Sequence, residues 1–328
     1  MRSVGTSSQL GWATFGERGS LAPMRLMFRC LEALPRALLV PIARLVALYF
    51  LVSGRRAREA SFDYLRRVAN ALPGSGVRSN LLWSYRHFAA FSDSILDKFD
   101  AWMGRLGRSD VVFDDRGEYE VLIASGRGAL IFASHLGNIE VCRALGSLDR
   151  KIKINALVHT RHAEKINRLL GEAGAEGFKL WQVTDIDAAT ALALRERVDQ
   201  GEWVVIAADR SPVHGGRTVT VNLLGAPAPL PIGPYVLASV LGCQVHLMFC
   251  LRRGGRNHIY VEPFASQIAW RRRERDAAIA DQAQRFARRL EHYVALEPLQ
   301  WFNFYKFWCT PQAGRADTAS DPVRIEGR

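Results

Sequence analysis

The chain has 328 residues, 48% of them apolar and 23% charged, with a formal charge of +12 and a pI of about 9.9. That composition excludes a wholly disordered chain and leaves room for one large domain or two small ones. The basic excess is mostly arginine, which calls for a negative partner: nucleic acid, anionic lipid or an acidic cofactor. Arginine's planar fork suits phosphate in particular.

Residues 1–23 are rich in Gly and Ser and read as a flexible lead-in. Residues 24–106 carry apolar residues at helical spacing. Within them, Ala37 to Val52 form an apolar run that contains Pro41 and Arg44 and is followed by Arg55, Arg56 and Arg58. The run falls short of the roughly 20 residues of a spanning helix, and no small-residue cleavage site follows it. It reads as a membrane-surface anchor; a buried core helix and a spanning helix are the alternatives.

From residue 107 the texture changes. Short apolar runs at 129–133, 154–158, 203–208, 245–249 and 258–262 read as strands. Between them lie helical patterns at 139–147, 163–173, 187–199 and 233–242, and a longer one follows at 274–296. Strands alternating with helices predict an α/β fold with a mostly parallel central sheet covered by helices. Residues 107–310 form the core, one domain with the preceding helices, and 311–328 read as a disordered tail. The five cysteines, Cys30, Cys142, Cys243, Cys250 and Cys309, are scattered; no pair has a zinc or redox spacing, and they read as reduced, mostly buried residues.

Chemistry concentrates after the first core strand, in Ser134-His135-Leu136-Gly137-Asn138-Ile139-Glu140. His135 falls in the turn at a strand's carboxyl end, where ligands bind in open α/β sheets. Five residues apart on one continuous helix, His135 and Glu140 would point about 140° away from each other. With His135 in the turn and Glu140 in the first helical turn they can meet. Gly137 permits the bend, Asn138 is a candidate cap, and a carboxylate on one imidazole nitrogen leaves the other as a base. No second His at helical spacing and no Cys pair supports a metal site, and no Gly-x-Ser-x-Gly elbow surrounds Ser134.

A histidine followed after four residues by an acid resembles the glycerolipid acyltransferase superfamily, and the form SHLGNIE resembles the bacterial lipid A biosynthesis lauroyl/myristoyl acyltransferase family. Ala208-Asp209-Arg210 after a buried strand, Gly216-Arg217, the stretch 221–234 and the ending 300–308 are similar too, so the resemblance covers residues 12–309. It implies an N-terminal membrane-anchoring helix on an α/β sheet and a place on the cytoplasmic face of the inner membrane. The fatty acyl donor would be on acyl carrier protein or coenzyme A, the acceptor a hydroxyl or amine of a membrane lipid. No metal and no cofactor beyond the thioester co-substrate is implied. His135 and Glu140 match the catalytic pair, and Asp209 and Arg210 the second motif. One stretch departs from the family: 211–225 lacks the aromatic residues more usual in lipid A enzymes. That opens the acceptor to other envelope products, such as aryl polyene, pigment or amino-acid lipids.

Further candidates for substrate contact are Asn138, Arg161 beside His162, and Arg217 in its Gly-rich turn. The run Trp270 to Arg275 could hold anionic lipid or a carrier protein, or be a solvated helix start. The aromatics between Trp301 and Trp308 suit either a lipid interface or the core. A non-catalytic lipid or carrier-protein binding protein is the alternative reading. Nucleic acid is not expected as a partner, for no binding motif accompanies the charge.

Overall fold

A computed structural model describes residues 34–141, 152–158, 178–182, 187–210 and 216–308. Among its described residues the helical region forms α1 (Arg36–Ser53), α2 (Arg55–Ala71) and α3 (Leu81–Trp102). Gly54 parts the first two. Asn80 starts the third by accepting the Trp83 N–H on its side-chain oxygen at 3.0 Å, which satisfies an amide that a helix start leaves open.

The core follows as β1 (Val111–Phe113), α4 (Arg116–Ala124), β2 (Ala129–Ala133), β3 (Ile154–Val158), β4 (Phe178–Gln182), α5 (Ala188–Asp199) and β5 (Trp203–Ala207). A hairpin of β6 (Thr218–Leu223) and β7 (Ala226–Pro231) leads to α6 (Gly233–Leu241), β8 (Gln244–Arg253), β9 (Arg256–Ala265) and α7 (Arg275–Leu296). The seven-stranded sheet runs β1-β9-β8-β2-β5-β3-β4, and every pairing in it is parallel except β8 with β9. This is the expected α/β architecture with a mostly parallel sheet. The helix expected over 139–147 begins at Ile139, but its continuation and the pattern at 163–173 lie outside the described residues, as do the lead-in and the tail. Of the cysteines, Cys243 and Cys250 are buried and in no disulfide, and the other three fall outside the described residues.

Alternation along the strands divides the interior. Leu130, Phe132, Val204 and Leu247 face the large core with α5, α6 and α7. Ala129, Ile131, Trp203 and Met248 face the other side, toward Tyr119 and Leu122 of α4. This second face carries the site.

Candidate active site

His135 and Asp209 come together because β2 and β5 are parallel neighbours. Their register pairs Ala133 with Ala207, so two residues past either strand the chain reaches His135 on one side and Asp209 on the other. The His135 Nδ1 lies 2.8 Å from Asp209 Oδ1, and the His135 backbone N–H donates to Oδ2 at 2.8 Å. The Trp301 indole N–H also donates to Oδ2, at 2.9 Å. Asp209 is fully buried, whereas the His135 side chain keeps 41% of its surface, open to a cavity it lines.

The carboxylate on Nδ1 is therefore that of Asp209, not of Glu140 as the sequence spacing suggests. The turn explains the exchange. Gly137 takes a left-handed φ of 72°, and a Cβ there would stand 1.9 Å from the Cys250 carbonyl oxygen, so only glycine fits. The Gly137 N–H donates to Gln300 O and the Asn138 N–H to Cys250 O, each at 2.8 Å. The segment is thus tied to β8 and the C-terminal stretch, and the ring points at the β5 side. Glu140 lines the same cavity.

Charge around the imidazole favours its neutral form. Burial within the protein lowers the His135 pKa, the nearby Arg210 guanidinium lowers it further, and Asp209 opposes both. For Asp209, burial alone would raise the pKa. The His135 ring, Arg210 and the Trp301 N–H outweigh it and hold the pKa at about 2. An ionised Asp209 accepts the proton on Nδ1, which fixes the tautomer with Nε2 as the basic nitrogen.

Arg210 is held in place by three contacts. Its Nη2 donates to Phe302 O at 2.5 Å, its Nε donates to Asn303 Oδ1 at 3.2 Å, and its guanidinium lies 5.5 Å from the centre of the Tyr305 ring. Arg210 and Lys98 both line the cavity and both act electrostatically on His135.

The cavity holds about 1270 Å³, above the usual range for small-ligand pockets. Its walls are largely apolar. Ala133, Ala156 and Ala207 stand at the sheet beneath His135, with Ile154 and Trp203 deeper. Ala133 and Ala207 end the neighbouring strands β2 and β5, Ala156 sits in the middle of β3, and these small side chains leave room. At the other end the cavity reaches Phe50, Arg55 and Arg56, where α1 meets α2.

Other expected contacts fall elsewhere. Asn138 is buried, and its side-chain nitrogen donates to Ser94 O at 3.2 Å, tying the turn to α3; its side-chain oxygen caps nothing and the residue is not among those lining the cavity. Arg217 is exposed beside β6 and is likewise not among the lining residues. Arg161 and His162 lie outside the described residues. The structure adds Lys98 from α3, and gives site positions to Arg56 of the basic run after α1 and to Trp301 of the ending 300–308 that their sequence patterns did not specify.

A family profile described as bacterial lipid A biosynthesis acyltransferase matches residues 108–310. No curated protein matches the chain.

Proposed function

The chain belongs to the bacterial lipid A biosynthesis acyltransferase family, and from that premise we propose that it moves a fatty acyl group from a thioester to a hydroxyl or amine of an envelope lipid, with His135 as general base. The hydrogen bond between Asp209 and His135, which lines an apolar cavity, carries this reading.

The steps follow from the groups present. Nε2 of His135 takes the proton of the acceptor hydroxyl or amine as its oxygen or nitrogen attacks the thioester carbonyl. Asp209, ionised, steadies the imidazolium that forms. The tetrahedral oxyanion develops beside the positive charges of Arg210 and Lys98. Collapse breaks the carbon–sulfur bond, and the departing thiolate takes the proton from Nε2. Glu140, on the cavity wall, bears on the bound substrate. The apolar cavity takes the acyl chain, and the thioester's carrier is acyl carrier protein or coenzyme A.

The same reading sets the protein on the inner membrane, at its cytoplasmic face. α1 has a mean hydropathy of 1.8 and is largely exposed. Leu38, Ile42, Leu45, Tyr49 and Val52 form one uncovered stripe at helical spacing. Its opposite side is fastened to α3, with Arg36 on Asp97 and Asp100 and Arg44 on Asp93. A spanning α1 would carry those aspartates into hydrocarbon, which is costly. α1 therefore lies in the interface, with its apolar stripe down.

The test is transfer of a radiolabelled acyl group from acyl carrier protein or coenzyme A to an envelope lipid extract. Wild type should transfer, and His135→Ala should be slower by two orders of magnitude or more. Transfer by His135→Ala at the wild-type rate would overturn the reading.

A further inference from the structure

A column of buried polar groups approaches the base from behind. The Ser84 hydroxyl donates to Ser61 Oγ at 3.0 Å. Ser61 Oγ lies 3.1 Å from His87 Nδ1, and His87 Nε2 lies 3.1 Å from the Trp301 carbonyl oxygen. Trp301 then donates its indole N–H to Asp209, which holds His135. Ser61, Ser84, His87, Trp301 and Asp209 are all fully buried.

The partners fix the protons. The Trp301 carbonyl only accepts, so His87 Nε2 carries hydrogen and donates. Nδ1 is then the acceptor, and the Ser61 hydroxyl donates to it while accepting from Ser84. Each of these groups has its partner, and His87 is neutral. Protonating Nδ1 would turn the Ser61 hydroxyl out of its bond and place a charge in a fully buried site, which is costly.

Trp301 occupies a position that matters to the base twice. Its backbone bridges Leu136, the residue after His135. Its indole and the His135 backbone N–H together occupy Asp209 Oδ2, which leaves Oδ1 aimed at the imidazole. The His87 ring also stacks on Phe304, centres 4.5 Å apart, and Phe304 lines the cavity.

We infer that His87 is a positioning residue for the transfer reaction: by donating to the Trp301 carbonyl from a neutral ring, it holds the indole that sets the Asp209 carboxylate against His135. The inference rests on the reading of His135 as general base. No local motif connects His87 with His135, and its effect passes through the Trp301 and Asp209 side chains.

Steady-state transfer by the full-length protein tests it, with kcat, KM for the acyl donor and the pH profile measured for His87→Leu, His87→Gln and Trp301→Phe. Loss of the indole N–H frees Asp209 Oδ2 and strengthens the carboxylate's hold on a protonated His135. The acidic limb of the profile should therefore move to higher pH. His87→Leu should lower kcat at least tenfold and shift that limb, with KM changed less than threefold. His87→Gln keeps an N–H that reaches the carbonyl and should restore most of kcat. Trp301→Phe should shift the limb in the same direction.

A folded His87→Leu protein with the wild-type kcat and pH profile would overturn the inference. Equal damage from Leu and Gln would do so too, since that marks a packing role alone. Should His87→Leu fail to fold, Trp301→Phe and Ser61→Ala read the links on either side, and an unmoved limb in both is a negative result. Full activity in His135→Ala would instead strike the general-base reading itself, a separate outcome.

Discussion

Asp209 holds His135 by two hydrogen bonds, one from the ring and one from the backbone N–H, each 2.8 Å long. A carboxylate that grips both parts of a residue fixes the direction of the ring as well as its tautomer. Glu140 shares the cavity but not that grip. The two acids should therefore fail differently. Asp209→Asn loses the ionised partner of Nδ1, and kcat should drop by two to four orders of magnitude. It should also change the acidic limb of the pH profile. Glu140→Gln should lower transfer while leaving the limb where wild type has it. Rate profiles from pH 5 to 9 separate the two, and an unmoved limb in Asp209→Asn would return the pairing role to Glu140.

Wild type itself has a defined pH response. The His135 pKa lies below its ordinary value because of burial and Arg210, and a general base works only when unprotonated. Transfer should thus rise with pH through a midpoint below 6.5 and be flat at neutral pH. Asp209, with a pKa of about 2, stays ionised throughout and adds no second step. A midpoint above 7 would contradict this electrostatic picture.

Stability should answer to pH through His87. Burial lowers its pKa to about 4 despite the Trp301 carbonyl, whereas the unfolded chain titrates near 6.5. Between these values the unfolded state binds the proton and the folded state does not. Stability is therefore complete above about pH 6.5 and falls as pH drops toward 4, by roughly 3 kcal/mol from this group. The Asp209 pKa is lowered as well, but over a more acidic window, and its stabilising share is lost only as pH falls from about 3.9 toward 2. Urea midpoints at pH 7 and pH 5 should differ in wild type and differ less in His87→Gln.

How much of this was legible in the sequence differs by element. The run 129–133 reads as a strand and is one, because five buried residues on a central strand leave no polar interruption. The helix expected at 274–296 appears as α7, its apolar face set by residues such as Ile279, Phe286 and Leu290. β7 was not legible: Pro227, Pro229 and Pro231 alternate along it, and proline marks a strand only where no ladder N–H is needed. β1 is three residues long and too short to show a period. At the site, Asp209 and Arg210 were recognised as a motif, but the pairing of Asp209 with His135 needed the register of β2 and β5. A trace of it was present, since each residue stands two places after an apolar strand that ends in alanine. The links to Trp301 and His87 join residues 92 and 214 positions apart, and nothing local announces them.

The turn at Gly137 should tolerate no side chain. A Cβ would meet the Cys250 carbonyl oxygen at 1.9 Å, and the left-handed φ adds strain. Gly137→Ala should lose about 1–3 kcal/mol or more from backbone strain, with transfer lost well beyond what that destabilisation explains, because His135 rides on the same turn. Chemical denaturation alongside transfer assays at a temperature where the variant is folded would check both parts.

α1 should hold the protein to bilayers through its uncovered stripe. Leu45 is 67% exposed and Val52 is 69% exposed, so replacing them disturbs little within the fold. Each contributes on the order of 1.5–3 kcal/mol when buried in lipid, so Leu45→Glu with Val52→Glu should weaken binding to anionic vesicles by at least tenfold. Cosedimentation measures this, and circular dichroism shows whether the fold persists. Binding equal to wild type would remove α1 from the contact surface.

The cavity floor should govern which chains are transferred. Ala156 lies on β3, within the wall that runs down from His135 toward Ile154 and Trp203. Leucine at 156 adds three carbon atoms to the space where a chain would lie, and overfilling costs typically 1–3 kcal/mol where the wall cannot retreat. The central strands pack tightly against the large core on the opposite face, so the ligand, not the sheet, has to yield. Ala156→Leu should therefore shift selectivity toward shorter acyl chains by on the order of tenfold in kcat/KM, since a few methylene groups in an apolar pocket carry about that discrimination. Competition between acyl thioesters of two lengths in one reaction measures the ratio directly. An unchanged ratio with retained activity would mean that the chain lies elsewhere than along β3.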